Sequence, residues 1–200
     1  MYKINEIFHS LQGEGFHTGT PAVFVRFSGC NLNCSFCDTD HADGNEMTAR
    51  QIVDRVRDAF SSLSLFAQVM NGIHVVLTGG EPSLQVTDEL ICLLHKEGWF
   101  VQIETNGTRQ LPAGIDWVTC SPKEGTALQL DNVDELKVVY DGKMDIAQYE
   151  GFRAQVFSLQ PMDTGDPDAN RLITEQTVLY CKEHPQWHLS LQTHKLIGIR

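Results

Sequence analysis

Ala22-Val23-Phe24-Val25-Arg26-Phe27-Ser28-Gly29-Cys30-Asn31-Leu32-Asn33-Cys34-Ser35-Phe36-Cys37 runs a short apolar strand directly into three clustered cysteines. Gly19-Thr20-Pro21 bounds the strand on one side and Ser28-Gly29 on the other. Its continuous apolar character predicts burial on both faces, as in a parallel sheet. The same arrangement recurs along the chain. His74 to Thr78 ends in Gly79-Gly80-Glu81-Pro82, Val101 to Glu104 in Thr105-Asn106-Gly107, and Trp117 to Cys120 in Ser121-Pro122-Lys123. Leu136 to Tyr140 and Val156 to Leu159 are further strands, the second leading into Gln160 to Asp163, and Trp187 to Leu191 is the last. Between them, helical spacing covers Thr48 to Phe60 with Thr48 as N-cap, Val86 to Lys96, and Asp168 to Glu183, which Pro185 stops. Strands alternating with helices predict an α/β fold whose polar segments gather at the carboxyl ends of mostly parallel strands, in an open sheet or barrel.

The 200 residues are expected to form a single domain, 1–200, able to fold without disulfides. Fifteen Lys plus Arg against 26 Asp plus Glu leave a net charge of −11, which argues against a nucleic-acid partner. Hydrophobic and charged fractions of 42% and 20% are those of an ordinary globular chain. The start, Met1-Tyr2-Lys3-Ile4-Asn5-Glu6-Ile7, has no apolar leader core, and no run is long enough for a membrane span. The expectation is a cytoplasmic protein with no membrane partner, where clustered cysteines are ligands or catalysts rather than disulfide partners. Cys92 and Cys181 read as core residues, and Cys120 as a neighbour of the site without a role in it.

Cys30, Cys34 and Cys37 form C-x3-C-x2-C, a loop short enough to aim three thiolates at one centre. Two centres fit. Zinc would close a structural site with His41 as fourth ligand. An iron-sulfur cluster held by three thiolates would leave one iron open for a reactive cofactor.

That cysteine loop behind a first strand, with Gly79-Gly80-Glu81-Pro82 behind the second, resembles the radical S-adenosylmethionine superfamily. A closer resemblance is to the 7-carboxy-7-deazaguanine synthases of queuosine and deazapurine biosynthesis. It extends over Leu11-Gln12-Gly13-Glu14-Gly15, Arg26, Cys37-Asp38-Thr39, Thr78 to Pro82, Glu104 to Gly107, Ser121 to Lys123, Gln160-Pro161-Met162 and Gln192-Thr193-His194-Lys195. The resemblance implies a compact, modified partial (β/α) barrel and a homodimer. It implies that 6-carboxy-5,6,7,8-tetrahydropterin is converted to 7-carboxy-7-deazaguanine by radical ring contraction with loss of ammonia. A 4Fe-4S cluster, S-adenosylmethionine and Mg2+ are the implied cofactors, and a reduced flavodoxin-like protein the electron donor. The cluster's open iron would chelate S-adenosylmethionine, whose reductive cleavage yields a 5′-deoxyadenosyl radical that takes the hydrogen from C6 of the pterin.

By the same resemblance Cys30, Cys34 and Cys37 ligate the cluster, and the Thr39 hydroxyl binds magnesium, which prefers oxygen ligands. Phe36, Cys37, Asp38, Gly80, Ser121, Pro122, Lys123, Gln160, Pro161, Met162 and Asp163 contact S-adenosylmethionine. Leu11, Gln12, Gly13, Glu14, Arg26 and Thr78 contact the pterin, where a carboxylate and an amide suit its donor-rich edge and a guanidinium suits its carboxylate. On residue type alone, Thr39 reads as a turn hydroxyl after Asp38, Arg26 as one half of an ion pair, and Thr78 as a β-branched strand residue. Among the eight histidines only His184 and His188 have a metal-like spacing, which Pro185 interrupts; most of the others read as surface or satisfied structural groups, and His194 as support for a C-terminal segment over the pocket.

Two other functions use parts of the same pattern. A glycyl-radical-enzyme activase shares the cysteines and Gly-Gly-Glu-Pro but not necessarily the early Gln-Gly-Glu-Gly. A non-catalytic zinc-stabilised module shares only the cysteines; iron-sulfur absorbance against stoichiometric zinc separates the two.

Overall fold

The computed structural model describes residues 1–37, 39–61 and 72–200. Among these, nine strands form one sheet: β1 (Tyr2–Leu11), β2 (Pro21–Phe27), β3 (Asn45–Met47), β4 (His74–Gly79), β5 (Phe100–Thr105), β6 (Trp117–Cys120), β7 (Asn132–Tyr140), β8 (Arg153–Pro161) and β9 (Trp187–Leu189). Their order is β3-β1-β2-β4-β5-β6-β7-β8-β9. From β2 onward every neighbouring pair is parallel, while β1 runs antiparallel to both β2 and β3. The fold is thus an open, mostly parallel α/β sheet, with β3 and β9 at its edges.

Helix α1 (Ala49–Ser61) and α2 (Asp88–Lys96) join β3 to β4 and β4 to β5; α3 (Pro167–Glu183) joins β8 to β9, and α4 (Thr193–Ile197) follows β9. Thr48 begins α1 with a reciprocal cap: the Gln51 N–H donates to its hydroxyl at 3.2 Å, and the Thr48 N–H donates to the Gln51 side chain at 2.8 Å. Thr87 and Asp166 cap α2 and α3, the latter with Pro167 in the first turn.

Helices α1 to α3 lie against one face of the sheet. Val23, Val25, Phe27, Val75, Leu77, Val101 and Ile103 pack there against Ile52, Val53 and Val56 of α1 and Leu90, Ile91 and Leu94 of α2. A second cluster gathers Cys120, Leu136, Val138 and Leu159 with Ile146, Tyr149 and Trp187. Among the described residues the opposite face has one small buried apolar cluster, Ala22, Phe24 and Val76, with Phe8 packed against it. Beyond them it carries Gln102, Thr119, Glu135, Lys137, Ser158 and Gln160, each buried. The expectation of strands apolar on both faces therefore holds near β2 and β4 and fails from β5 to β8, where an enclosed polar face replaces it.

Strand β1 escaped the sequence reading because a bulge between Ile4 and Glu6 breaks its alternation, and the three-residue β3 is too short to show a period. Cys92 corrects another expectation. It is exposed, because Leu90, Ile91 and Leu94 form the buried face of α2 and position 92 turns outward. Cys181 is half-buried on α3, and Cys120 is buried at the end of β6. No helix among the described residues is long and apolar enough to cross a membrane. Leu90 is fully buried, so Leu90→Ala is expected to lower stability by about 2–5 kcal/mol in urea unfolding with an unchanged slope; a loss below about 1 kcal/mol would contradict this packing.

Candidate functional site

The loops behind the parallel strands meet at one rim, above a cavity of about 680 Å³ formed against the polar face. Its lining brings together Cys30, Cys34 and Cys37 with Phe36 and Thr39 from the loop after β2, Thr78 and Gly80 from β4 and its end, and Ser121 and Lys123 from the loop after β6. Gln160 and Pro161 line it from β8, Met162 and Asp163 from the loop after β8, Arg26 from β2, Leu11 from the end of β1, and Gln12, Gly13 and Glu14 from the segment that follows. Two of the expected contacts are not placed on this wall. Pro122 is buried behind it, between the lining residues Ser121 and Lys123, and Asp38 lies outside the described residues.

The cysteine loop is held by hydrogen bonds to its neighbours. The Gly80 N–H donates to the Phe27 carbonyl at 3.0 Å, and the Glu81 N–H to the Gly29 carbonyl at 2.9 Å. At Gly79, whose φ is +126°, a side chain would collide with the Phe27 backbone; at Gly80 it would collide with the Gly29 carbonyl. Glu81, buried, reaches across to the loop after β5. One carboxylate oxygen accepts from the Thr105 hydroxyl at 2.7 Å and the Ser83 N–H at 2.9 Å, and the other from the Asn106 N–H at 2.7 Å. Asn106 Nδ2 then donates to Asn31 Oδ1 at 3.1 Å, and Asn31 Nδ2 to the Thr108 hydroxyl at 2.8 Å. Glu81, Asn106 and Asn31 thereby tie three loops into one rim.

Cys30 and Cys34 are half-buried and Cys37 is exposed at the mouth. Burial pushes the Cys30 thiol up, and the neighbouring Glu81, Cys34 and Cys37 push it further. A thiolate disfavoured in this way gains most from a cationic metal centre. Among the described residues no three His, Cys, Asp or Glu side chains converge on a single ion position. Cys30, Cys34 and Cys37 line one cavity, and thiolates are the donor set of iron-sulfur clusters. Lys123 connects this wall to the β6 loop: its Nζ donates to the Ser121 hydroxyl at 2.7 Å and lies 5.7 Å from the centre of the Phe36 ring. Burial, with Lys137 adding to it, lowers its pKa.

At the other end of the cavity Lys137 Nζ donates to Glu14 Oε2 at 2.7 Å and Glu104 Oε2 at 2.9 Å. Gln192 donates to Glu14 at 2.8 Å, and Gln12 to Glu104 at 3.1 Å. Lys137, Glu104 and Gln192 were not assigned roles on sequence. The signal for Lys137 was present, since a charge interrupts the apolar run Leu136-Lys137-Val138-Val139 as Arg26 interrupts β2. Arg26 Nε donates to Glu6 at 2.8 Å, and its guanidinium also donates to the Thr39 hydroxyl at 3.4 Å. Arg26 is thus at once an ion-pair partner and part of the wall. Glu6 also pairs with Arg200, whose guanidinium lies 4.9 Å from the Phe8 ring. Thr193 donates through both N–H and hydroxyl to the Gly13 carbonyl, and His194 packs where a Gly13 side chain would stand. His9 and His17 depart from the expected satisfied role, each holding a buried Nε2 with no hydrogen-bond partner among the described residues.

Residues 24–136 match the radical SAM superfamily model. The chain is 54% identical, over the full length of both proteins, to the 7-carboxy-7-deazaguanine synthase of Bacteroides thetaiotaomicron. It is 43% identical to that of Bradyrhizobium diazoefficiens, covering 100% of this chain and 99% of the relative. The chain belongs to the 7-carboxy-7-deazaguanine synthase family. The crystal structure of QueE from Escherichia coli is also similar, with a TM-score of 0.71 at 29% identity over 96% of this chain and 94% of that one. Membership of the radical SAM superfamily implies a 4Fe-4S cluster and S-adenosylmethionine, and the chain is a radical SAM enzyme.

The cysteine triad gives a direct test. Cys34→Ala, at a half-exposed position, is expected to keep its circular dichroism while losing iron-sulfur absorbance and cofactor cleavage to 5′-deoxyadenosine. Undiminished 5′-deoxyadenosine would contradict the ligand assignment.

Proposed function

We propose that this chain, acting as one domain over residues 1–200, converts 6-carboxy-5,6,7,8-tetrahydropterin to 7-carboxy-7-deazaguanine and ammonia. One observation carries this reading: a single cavity has the cysteine triad at its mouth and a carboxylate, amide and guanidinium set behind it. The overall change is an elimination in which substrate atoms are divided between deazapurine and ammonia with no net oxidation. When bound, the cluster and S-adenosylmethionine supply one-electron chemistry at a carbon-hydrogen bond. The chain's own part is placement and exclusion of water.

Cys30, Cys34 and Cys37 hold the cluster in this proposal. Phe36, Gly80, Ser121, Lys123 and Gln160 to Asp163 hold S-adenosylmethionine, with the Lys123 ammonium facing its carboxylate. Arg26 matches a ligand carboxylate with two parallel N–H donors once Glu6 yields part of its hold. Glu14 and Gln12 accept from and donate to the opposite edge of the pterin, and Thr78, half-buried at the end of β4, packs beside the ring. The Thr39 hydroxyl opens onto the same space and would hold a magnesium ion, which would supply positive charge for the substrate carboxylate. Such an ion would neutralise charge that Arg26 alone does not. A homodimer and a flavodoxin-like donor follow from the family resemblance, and the exposure of Cys37 at the cavity mouth favours electron delivery from outside. Unpaired thiols at all six cysteines suit a reducing, cytoplasmic setting.

Anaerobic incubation of cluster-loaded protein with reductant, S-adenosylmethionine, magnesium and carboxytetrahydropterin is expected to yield a deazapurine lighter than the substrate by one ammonia in mass spectrometry. Absence of that product from loaded protein would reject the function. Thr39→Ala is expected to raise the magnesium concentration for half-maximal turnover by about tenfold, read in a magnesium titration after chelator treatment; an unchanged midpoint would remove Thr39 from the metal site.

A further inference from the structure

The deep end of the cavity contains more carboxylate than one ammonium balances. Glu135 is satisfied by neutral donors: its oxygens accept from the Phe16 N–H and from the Ser158 and Thr119 hydroxyls. Glu14 and Glu104 are different, because one oxygen of each is spent on the same Lys137 ammonium, a side chain only 5% exposed. Two carboxylates this close to one cation in a buried space do not both stay ionised without it. Burial alone would raise Glu14, but Lys137 and Gln192 outweigh it and hold that group at about 2. At Glu104 burial prevails and the shift is upward despite Lys137. If the ammonium is removed, Glu104 is the group that takes a proton and changes from acceptor to donor.

We propose that Lys137 is a positioning residue that keeps Glu14 and Glu104 together as anionic acceptors, so that this end of the cavity selects a ligand edge with an amino group at its centre over one with a carbonyl oxygen there. The inference rests on the pterin reading, because a pterin presents an amino group and a ring N–H on the edge opposite its carboxylate. A lumazine differs by carrying a carbonyl in place of that amino group. It keeps N–H groups on the two flanking ring nitrogens but sets an acceptor oxygen against the carboxylates where the amino protons pointed, and a site that reads a central donor rejects that mismatch.

The test uses cluster-loaded enzyme with bound S-adenosylmethionine and compares Kd for 6-carboxypterin and 6-carboxylumazine by calorimetry, with no turnover involved. The unaltered enzyme is expected to prefer the pterin by at least about a hundredfold. In Lys137→Met the preference is expected to fall by about tenfold or more, and in Lys137→Arg to stay within about threefold of the original. If Lys137→Met weakens both ligands equally and leaves the ratio unchanged, the residue is merely structural and the proposal is overturned. Should that variant fail to fold by circular dichroism, Lys137→Met/Glu104→Gln removes one charge of each sign. Its amide offers both donor and acceptor, so the ratio is expected to fall there too, and an unchanged ratio would again overturn the proposal. An unaltered enzyme that binds both ligands equally defeats the selectivity claim alone, whereas one that binds neither defeats the pterin reading and this inference with it.

Discussion

The Lys137 ammonium is the charge around which the enclosed side of the sheet is organised. It projects from the middle of β7 toward Glu104 on β5 and Glu14 on the segment after β1, so one cation joins three parts of the chain distant in sequence. Gln12, Gln102, Thr119, Glu135 and Ser158 extend the same network. A sheet face can be buried and polar only if its groups satisfy one another, because an unpaired buried charge costs several kcal/mol. Satisfaction here is extensive enough to leave room for a ligand. The apolar helices on the opposite face supply the stability that such a lumen does not.

A second device works at the rim. Parallel strands present their carboxyl ends on one side, but that alone does not align the loops that leave them. Glu81 performs the alignment, accepting from residues of its own turn and of the β5 loop, while Asn106 passes the connection to Asn31 inside the cysteine segment. The acidic residue of Gly-Gly-Glu-Pro therefore acts on protein, and its glycines permit the close approach of the two backbones.

The parallel strands, the three long helices and the gathering of polar loops were legible in the sequence because each rests on local periodicity or on turn chemistry. Thr48 and Pro185 mark helix limits that the structure respects within one or two residues. The antiparallel β1 was not legible, since its bulge interrupts the alternation by which a strand is recognised. Nor was the polar inner face, which follows from which side of the sheet the helices cover. Arg26 and Lys137 are instructive as a pair. Both interrupt apolar strands, yet only Arg26 was assigned a role, and only the three-dimensional register shows that Lys137 looks into the same space from four strands away.

The segment after β1 has a kinetic implication. Gly13 receives both Thr193 hydrogen bonds, and Glu14 receives Gln192, at sequence separations of 180 and 178 residues. Joining points so remote costs chain entropy that neighbouring contacts must first offset. During refolding, the helix-covered hydrophobic layers can consolidate early, while the floor of the reaction chamber closes only when the two extremes of the polypeptide meet. Competence to bind is then acquired last, and a partly unfolded population loses the chamber before it loses its core.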